Sequence, residues 1–326
     1  MPFSSLVGNE RIKKLLRRGV AEGRIGQGLI FAGQRGVGKH QFALALAQAV
    51  NCASPKNGDA CGECLSCRKV ASREHPDVHT ISPDGQFIKI SQMREMSQEA
   101  QYRPYEGRRR VYVIDDAERL REEAANSILK TLEEPPESSL ILLVTSKPYA
   151  LLETIRSRCQ MLSFAPLTSD ELEAYLKANF KRPLEETRML ARLARGSIGR
   201  TLEIDLGVYR EKRATMLELI EAATVARDTV KLLGAAEHLG RKLEKDEFEN
   251  HLDVLMVLLA DLFHLKLGEP PDSLTNSDVA PRLERTAESM TLEQIADWAD
   301  RVEQVLKSLA RNVNKQLAME AMLIHT

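Results

Sequence analysis

Between Gly33 and His40 the chain reads GQRGVGKH, the spacing of a phosphate-binding loop with its last position changed. In G-x-x-x-x-G-K-[Ser/Thr] the glycines let backbone N–H groups wrap an anionic phosphate. The lysine reaches the outer phosphates, and the terminal hydroxyl ligates Mg²⁺. Gly33, Gly36, Gly38 and Lys39 are in place, but His40 stands where the hydroxyl belongs. An imidazole is a poor ligand for a hard, oxygen-seeking cation. The loop therefore has the parts that hold phosphate and lacks one that hydrolysis needs.

Two further groups carry chemistry. Val111-Tyr112-Val113-Ile114 is an apolar run that ends in Asp115 and Asp116. In ATP-driven folds the first acid at such a strand end holds Mg²⁺, and a Glu beside it polarises the attacking water. Asp116, at that second place, is one methylene shorter than Glu. Cys52, Cys61, Cys64 and Cys67 follow C-x8-C-x2-C-x2-C. Tight C-x2-C spacing brings thiolates to one side of a turn, and four sulfurs with no open position describe a structural Zn²⁺ site. Few basic residues accompany the insert (Lys56, Arg68, Lys69), so a structural knob is expected over a nucleic-acid finger. Cys159 stands apart.

Elements that could position these groups are readable on both sides. Leu29-Ile30-Phe31-Ala32 leads straight into the glycine loop, and Phe42, Leu46, Ala49 and Val50 recur after it at helical spacing. Strand, loop and helix together put a positive helix end at the anion site. A third strand is expected at Leu140–Val144, followed by Thr145-Ser146. A helix is expected over Ala124–Leu132, stopped by Glu133-Glu134-Pro135-Pro136. Alternating strands and helices predict a parallel sheet covered on both faces, with its ligand edge at the carboxyl ends of the strands. Arg108-Arg109-Arg110, just before the second strand, reads as a solvated loop.

At 326 residues the chain has room for two or three domains. It is rich in Ala, Leu, Glu, Lys and Arg, which favours helix in the remainder. A net charge of −1 argues against a protein that binds nucleic acid through overall charge. MPFSSLVGNE has no secretory pattern. The longest apolar stretch, Val254–Leu265, is interrupted by Asp261 and His264, too short to span a bilayer. A cytoplasmic location without membrane partners is expected.

With Ile155-Arg156-Ser157-Arg158-Cys159 added, the ordered set resembles one family: the clamp-loader subunits of bacterial DNA polymerase III, within the AAA+ superfamily. Leu6-Val7-Gly8-Asn9 resembles the segment bordering the adenine pocket, GQRGVGKH the Walker A loop, and VYVIDDAERL Walker B. The four cysteines match the zinc insert, and AANSILKTLEEPPE is close to a family signature. Ser146 falls at the polar sensor 1 position, and Ser157-Arg158-Cys159 matches the arginine-finger motif. Thr168-Ser169-Asp170-Glu171 reads as a capped helix start. Gly196-Ser197-Ile198-Gly199-Arg200 resembles the sensor 2 segment, with Gly199 where active members carry Arg and Arg200 one position late. Asn312-Val313-Asn314, with Leu317 and Glu320, resembles the last collar helix.

The resemblance implies an α/β plus all-α architecture. Residues 1–165 would form an AAA+ parallel-sheet domain with a four-cysteine zinc module (52–67), residues 166–206 a helical lid, and residues 207–326 a helical oligomerising collar. His40, Asp116 and Gly199 depart from the motor subunits at the parts that serve a chain's own ATP. The Ser-Arg-Cys motif, which serves a neighbour's ATP, is intact. That combination implies a stator: its own site binds ATP or ADP weakly or not at all, its zinc is structural, and Arg158 acts in trans. The implied partners are the tau/gamma and delta subunits, with the sliding clamp and primer–template DNA reached through the complex. Two alternatives stand beside it: an active ATPase of tau/gamma type, and a zinc-containing AAA+ repair protein that binds DNA.

Overall fold

The structure is a computed structural model that describes residues 1–226, 228–309 and 313–324. Asn312, part of the collar-like motif, lies outside the described residues. The chain divides into two compact units, Met1–Asn179 with Ala194–Leu202, and Phe180–Leu193 with Glu203–Thr326. No helix among the described residues is long and apolar enough to cross a membrane.

The first unit is built on five parallel strands: β1 (Gly28–Gly33), β2 (Val78–Ile81), β3 (Arg110–Ile114), β4 (Ser139–Thr145) and β5 (Gln160–Phe164), in the order β2-β3-β4-β1-β5. The central strands β1, β3 and β4 are buried along almost their whole length, as apolar runs covered on both faces must be. One face packs on α1 (Glu10–Ala21), α2 (Lys39–Asn51) and α3 (Leu65–Ala71), with Phe3, Phe31, Phe42 and Phe164 in its core. The other packs on α4 (Ile90–Glu99), α5 (Glu122–Ser127), α6 (Leu129–Glu133) and α7 (Glu153–Arg156).

The helix expected over Ala124–Leu132 is thus two helices, parted at Ile128. The Ser127 hydroxyl bonds back to Ala124 O (2.7 Å), and Ile128 N–H turns to Ala125 O, which tightens the turn and breaks the ladder. α8 (Ser169–Asn179) starts where the capping box predicts. Glu171 N–H donates to Thr168 Oγ1 (3.2 Å), and Glu171 Oε2 accepts from Thr168 N–H (2.9 Å).

In the second unit α9 is Leu184–Leu193, while α10 (Ile198–Glu203) belongs to the first unit but for its last residue. The rest is helical: α11 (Leu206–Thr224), α12 (Thr229–Glu237), α13 (Lys245–Lys266), α14 (Ala280–Glu288), α15 (Leu292–Leu309) and α16 (Lys315–Ile324). Its core holds a closed polar network. Buried Asp261 accepts from Thr275 N–H, Asn276 N–H and the Asn276 amide, while Asn276 Oδ1 accepts from Tyr209 and Arg213. Each of these buried polar groups has a partner, so the network adds definition without leaving orphaned charge.

Candidate functional site

The phosphate loop closes β1 and opens α2 at the carboxyl edge of the sheet. The structure brings Gly36, Gly38, Lys39, His40, Asp115, Asp116 and Ser146 around one cavity of about 490 Å³, also lined by Leu6, Val7 and Tyr175. Gly33 closes the strand behind it. Lys39 is buried, and its ammonium donates to Gly33 O (2.7 Å) and Gln34 O (2.9 Å). It is folded back onto its own loop. Burial lowers its pKa from the ordinary lysine value, and the carboxylates of Glu118, Asp115 and Asp116 only partly oppose that.

Gly36 carries the closest approach in the loop. Its O accepts the Gly199 N–H at 3.0 Å, and a Cβ there would stand 2.2 Å from Ser197 Oγ, at a φ of +77°. The segment ending at Gly199 therefore meets the phosphate loop backbone to backbone. Arg200 is exposed and does not line the cavity.

His40 Nδ1 stands 3.1 Å from Asp115 Oδ2, within ion-pair distance but without hydrogen-bond alignment. Burial raises the Asp115 carboxyl. The imidazole, the Asp116 backbone N–H and Lys39 outweigh it and hold the group below the usual carboxylate range. Asp116 has a left-handed backbone (φ 47°) and lies 3.8 Å from Arg119 Nε, half exposed. The acid that reaches Ser146 is Glu118, whose Oε1 accepts from the Ser146 hydroxyl at 2.5 Å. Burial raises Glu118, but the Ser146 and Thr145 hydroxyls and the Ser146 N–H bring it below its ordinary value.

The four cysteines converge. Their sulfurs all lie within 4.8 Å of one another, with Cys52–Cys64 at 4.0 Å and Cys61–Cys67 at 3.9 Å. A tetrahedral Zn²⁺ with bonds of about 2.3 Å needs sulfurs roughly 3.8 Å apart, so the set fits zinc. Backbone N–H groups of Cys61, Cys64 and Cys67 point at the sulfurs of Cys52, Cys61 and Cys64 (3.3–3.4 Å), as a thiolate cluster requires. The N–H of Cys64 is the main reason the Cys61 thiol falls to about 6. The insert is anchored by buried Asp59, which accepts from the N–H groups of Phe3, Ser4 and Ala60. Gly58 lies so close to α1 that a Cβ would meet Arg17 O at 1.8 Å.

Arg158 is at the other end of the sheet. It lies two residues before β5, whose Gln160 pairs with Leu29 at the start of β1, whereas the phosphate loop leaves the end of β1. At about 3.3 Å per residue the length of β1 separates them by roughly 16 Å. Ser157 and Cys159 explain the local motif. Ser157 Oγ donates to Thr154 O (3.1 Å), while Cys159 is buried beside Gly28 and Leu132, its thiol pushed up to about 12 by burial. Arg158 between them is left at the surface.

Comparison with known proteins places this geometry. The family described as "DNA polymerase III, delta subunit" matches residues 8–168, and "DNA polymerase III, delta subunit, C terminal" matches residues 211–326. The Bacillus subtilis DNA polymerase III subunit delta' is 30% identical over 96% of this chain and 94% of its own length. The chain belongs to the delta-prime subunit family of DNA polymerase III. The Escherichia coli delta' subunit is 27% identical over 93% of the chain and 89% of its own length. The Escherichia coli tau subunit is 35% identical over 60% of the chain but only 31% of its own length. This is the clamp-loader AAA+ family, related to tau and gamma and serving DNA replication.

Within this delta-prime-family chain, sequence reasoning missed three carboxylates. Glu118 lies two positions past the expected acid, and only the fold brings it to Ser146. Asp59 gives no local signal, since two of its three partners, Phe3 and Ser4, are at the N-terminus. Asp77, fully buried, accepts from the N–H groups of Tyr105, Glu106 and Gly107 (2.6–2.8 Å) and shapes the loop before β3. The solvated loop expected at Arg108–Arg110 is corrected in part. Arg109 and Arg110 are half-buried and bond to Ile25 O, Glu99 O and Arg103 O.

Proposed function

We propose that this chain acts as the stator of a DNA polymerase III clamp loader, without ATP turnover of its own, and supplies Arg158 to the ATP site of a neighbouring tau/gamma-type subunit. The observation that carries this reading is the placement of Arg158 at the amino end of β5, a full strand length from its own phosphate loop. An arginine there cannot serve the chain's own nucleotide.

Three features on the cis side support the same reading. His40 contacts Asp115 where a magnesium-ligating hydroxyl would sit, Lys39 is engaged by loop carbonyls, and Gly199 replaces a sensor arginine. MgATP does not fit this donor set well, because the imidazole offers no hard oxygen. On the trans side, Arg158 is permanently charged and planar, suited to a phosphate whose charge spreads in the transition state. Supplied across a subunit boundary, such an arginine is worth on the order of 10³–10⁵ in rate. It would also report whether the neighbour's site is filled.

The other roles follow the family. Residues 1–165, 166–206 and 207–326 serve as AAA+ base, lid and collar. Cys52, Cys61, Cys64 and Cys67 would hold a structural Zn²⁺ that ties the insert to α1 and the N-terminus. The clamp and primer–template DNA are engaged through the assembled complex. The deciding experiment compares MgATP binding by calorimetry for the chain and its His40→Thr variant with ATP turnover of the loader reconstituted with Arg158→Ala. Tight magnesium-dependent binding with hydrolysis by the isolated chain would reassign it to the motor class.

A further inference from the structure

We propose that Glu133 is a positioning residue for Arg158, holding its guanidinium in the orientation in which it meets the neighbour's phosphate. The proposal rests on the trans reading of Arg158.

Glu133 is the last residue of α6, directly before Glu134-Pro135-Pro136. The prolines end the helix there, which makes Glu133 its final residue. Its Oε1 accepts from Arg158 Nη2 at 2.5 Å, a short charge-assisted bond across 25 residues of sequence. Nη1 of the same guanidinium donates to Thr154 O (2.9 Å) and Ser157 Oγ (3.3 Å). The three acceptors hold both terminal nitrogens and so define the plane of the group. Those bonds leave the Nε proton and the second Nη2 proton for an incoming anion.

The floor beneath the pair is equally fixed. Leu132, beside Glu133, and Cys159, beside Arg158, are buried in the same core cluster, and both lie against Gly28 at the start of β1. The helix that brings Glu133 and the turn that brings Arg158 are therefore held on one strand. This gives the LKTLEEPPE stretch a task that its position in sequence does not reveal: its leucine sets the distance and its glutamate sets the angle. A flexible arginine loses much rotamer freedom when it engages a phosphate, and a side chain already oriented loses less.

The pair is partly exposed, with 33% of the Arg158 side chain and 48% of the Glu133 side chain accessible. Exposed pairs add little to stability, so Glu133 variants are expected to fold.

The test is a double-mutant cycle in the reconstituted loader: Glu133→Ala, Glu133→Gln, Arg158→Ala and the Glu133→Ala/Arg158→Ala pair, read as clamp- and DNA-stimulated kcat and KM for ATP. Glu133→Ala is expected to lower kcat at the neighbouring site about 10-fold with KM little changed, the size of one lost charge-assisted bond. Glu133→Gln, which keeps an acceptor, is expected to recover most of that. In the Arg158→Ala background Glu133→Ala is expected to add nothing. Normal turnover in Glu133→Ala beside a slow Arg158→Ala would overturn the positioning role and leave Arg158 its function. An additive double mutant would also overturn it, because Glu133 would then act elsewhere. Normal turnover in Arg158→Ala itself would overturn both.

Discussion

His40 Nδ1 lies 3.1 Å from Asp115 Oδ2. The two positions that would share a magnesium ion in a working site instead contact each other, so the imidazole spends its reach on the acid. Restoring a hydroxyl at His40 removes that contact but leaves Asp116 turned toward Arg119 and Gly199 seated on Gly36. The His40→Thr variant is therefore expected to gain magnesium-dependent ATP affinity by at most about 10-fold without gaining turnover. Calorimetry and a steady-state phosphate-release assay on the isolated variant check both parts.

The phosphate loop itself carries a graded prediction. Gly36 and Gly38 both have positive φ, so Ala at either position is strained by about 1–2 kcal/mol. Only Gly36 also meets Ser197 and Gly199, while nothing lies within 4 Å of a Cβ at Gly38. Gly36→Ala is expected to destabilise the protein more than Gly38→Ala, with the difference roughly 1–2 kcal/mol by denaturant titration. Equal losses would mean that segment 196–199 moves away at no cost.

The cysteine cluster is expected to bind one zinc per chain. Ligands must be deprotonated, and Cys61, held at about 6, is already mostly thiolate at neutral pH. Burial pushes the Cys52 and Cys67 thiols up, so protons compete for the set and zinc affinity is expected to fall steadily as pH drops. In metal-free protein at pH 7, iodoacetamide should label Cys61 quickly and leave buried Cys159, with its thiol at about 12, unmodified. Metal analysis and mass-spectrometric mapping check these outcomes. Cys61→Ser should lose the metal and loosen the N-terminal turn that Asp59 holds.

Asp77 gives a pH dependence of stability. Burial raises its pKa, but three backbone N–H bonds and Arg110 bring the folded value below the ordinary one. A depressed folded value means stability that is present above the unfolded pKa and lost as pH falls through the folded one. At neutral pH Asp77→Asn should destabilise by about 2 kcal/mol, because an amide cannot accept from all three N–H groups. The gap between variant and parent should narrow below pH ~4, where the unfolded carboxylate begins to protonate.

The parts legible in sequence are those specified by local spacing. The glycine loop, the four cysteines and the central strands β1, β3 and β4 carry their pattern within a few residues. The strands β2 and β5 were not legible, because both lie at the sheet's edges. Val78-His79-Thr80-Ile81 is at most half-buried, and β5 buries only Leu162 and Phe164. The pairing of Glu118 with Ser146, of Asp59 with Phe3, and of Glu133 with Arg158 joins residues 25 to 56 positions apart. No periodicity announces such pairs. They exist only once the sheet has set its order. The split at Ile128 was hidden for a different reason: one hydroxyl back-bond decides it.

The central claim is that this chain lends an arginine and spends no ATP. The most direct test measures clamp- and DNA-stimulated ATP turnover in loaders reconstituted with either Arg158→Ala or Lys39→Ala in this subunit alone. Arg158→Ala is expected to slow hydrolysis at the neighbouring site by on the order of 10³ or more, while Lys39→Ala leaves turnover unchanged. Loss of turnover in Lys39→Ala, with Arg158→Ala behaving as the parent, would contradict it.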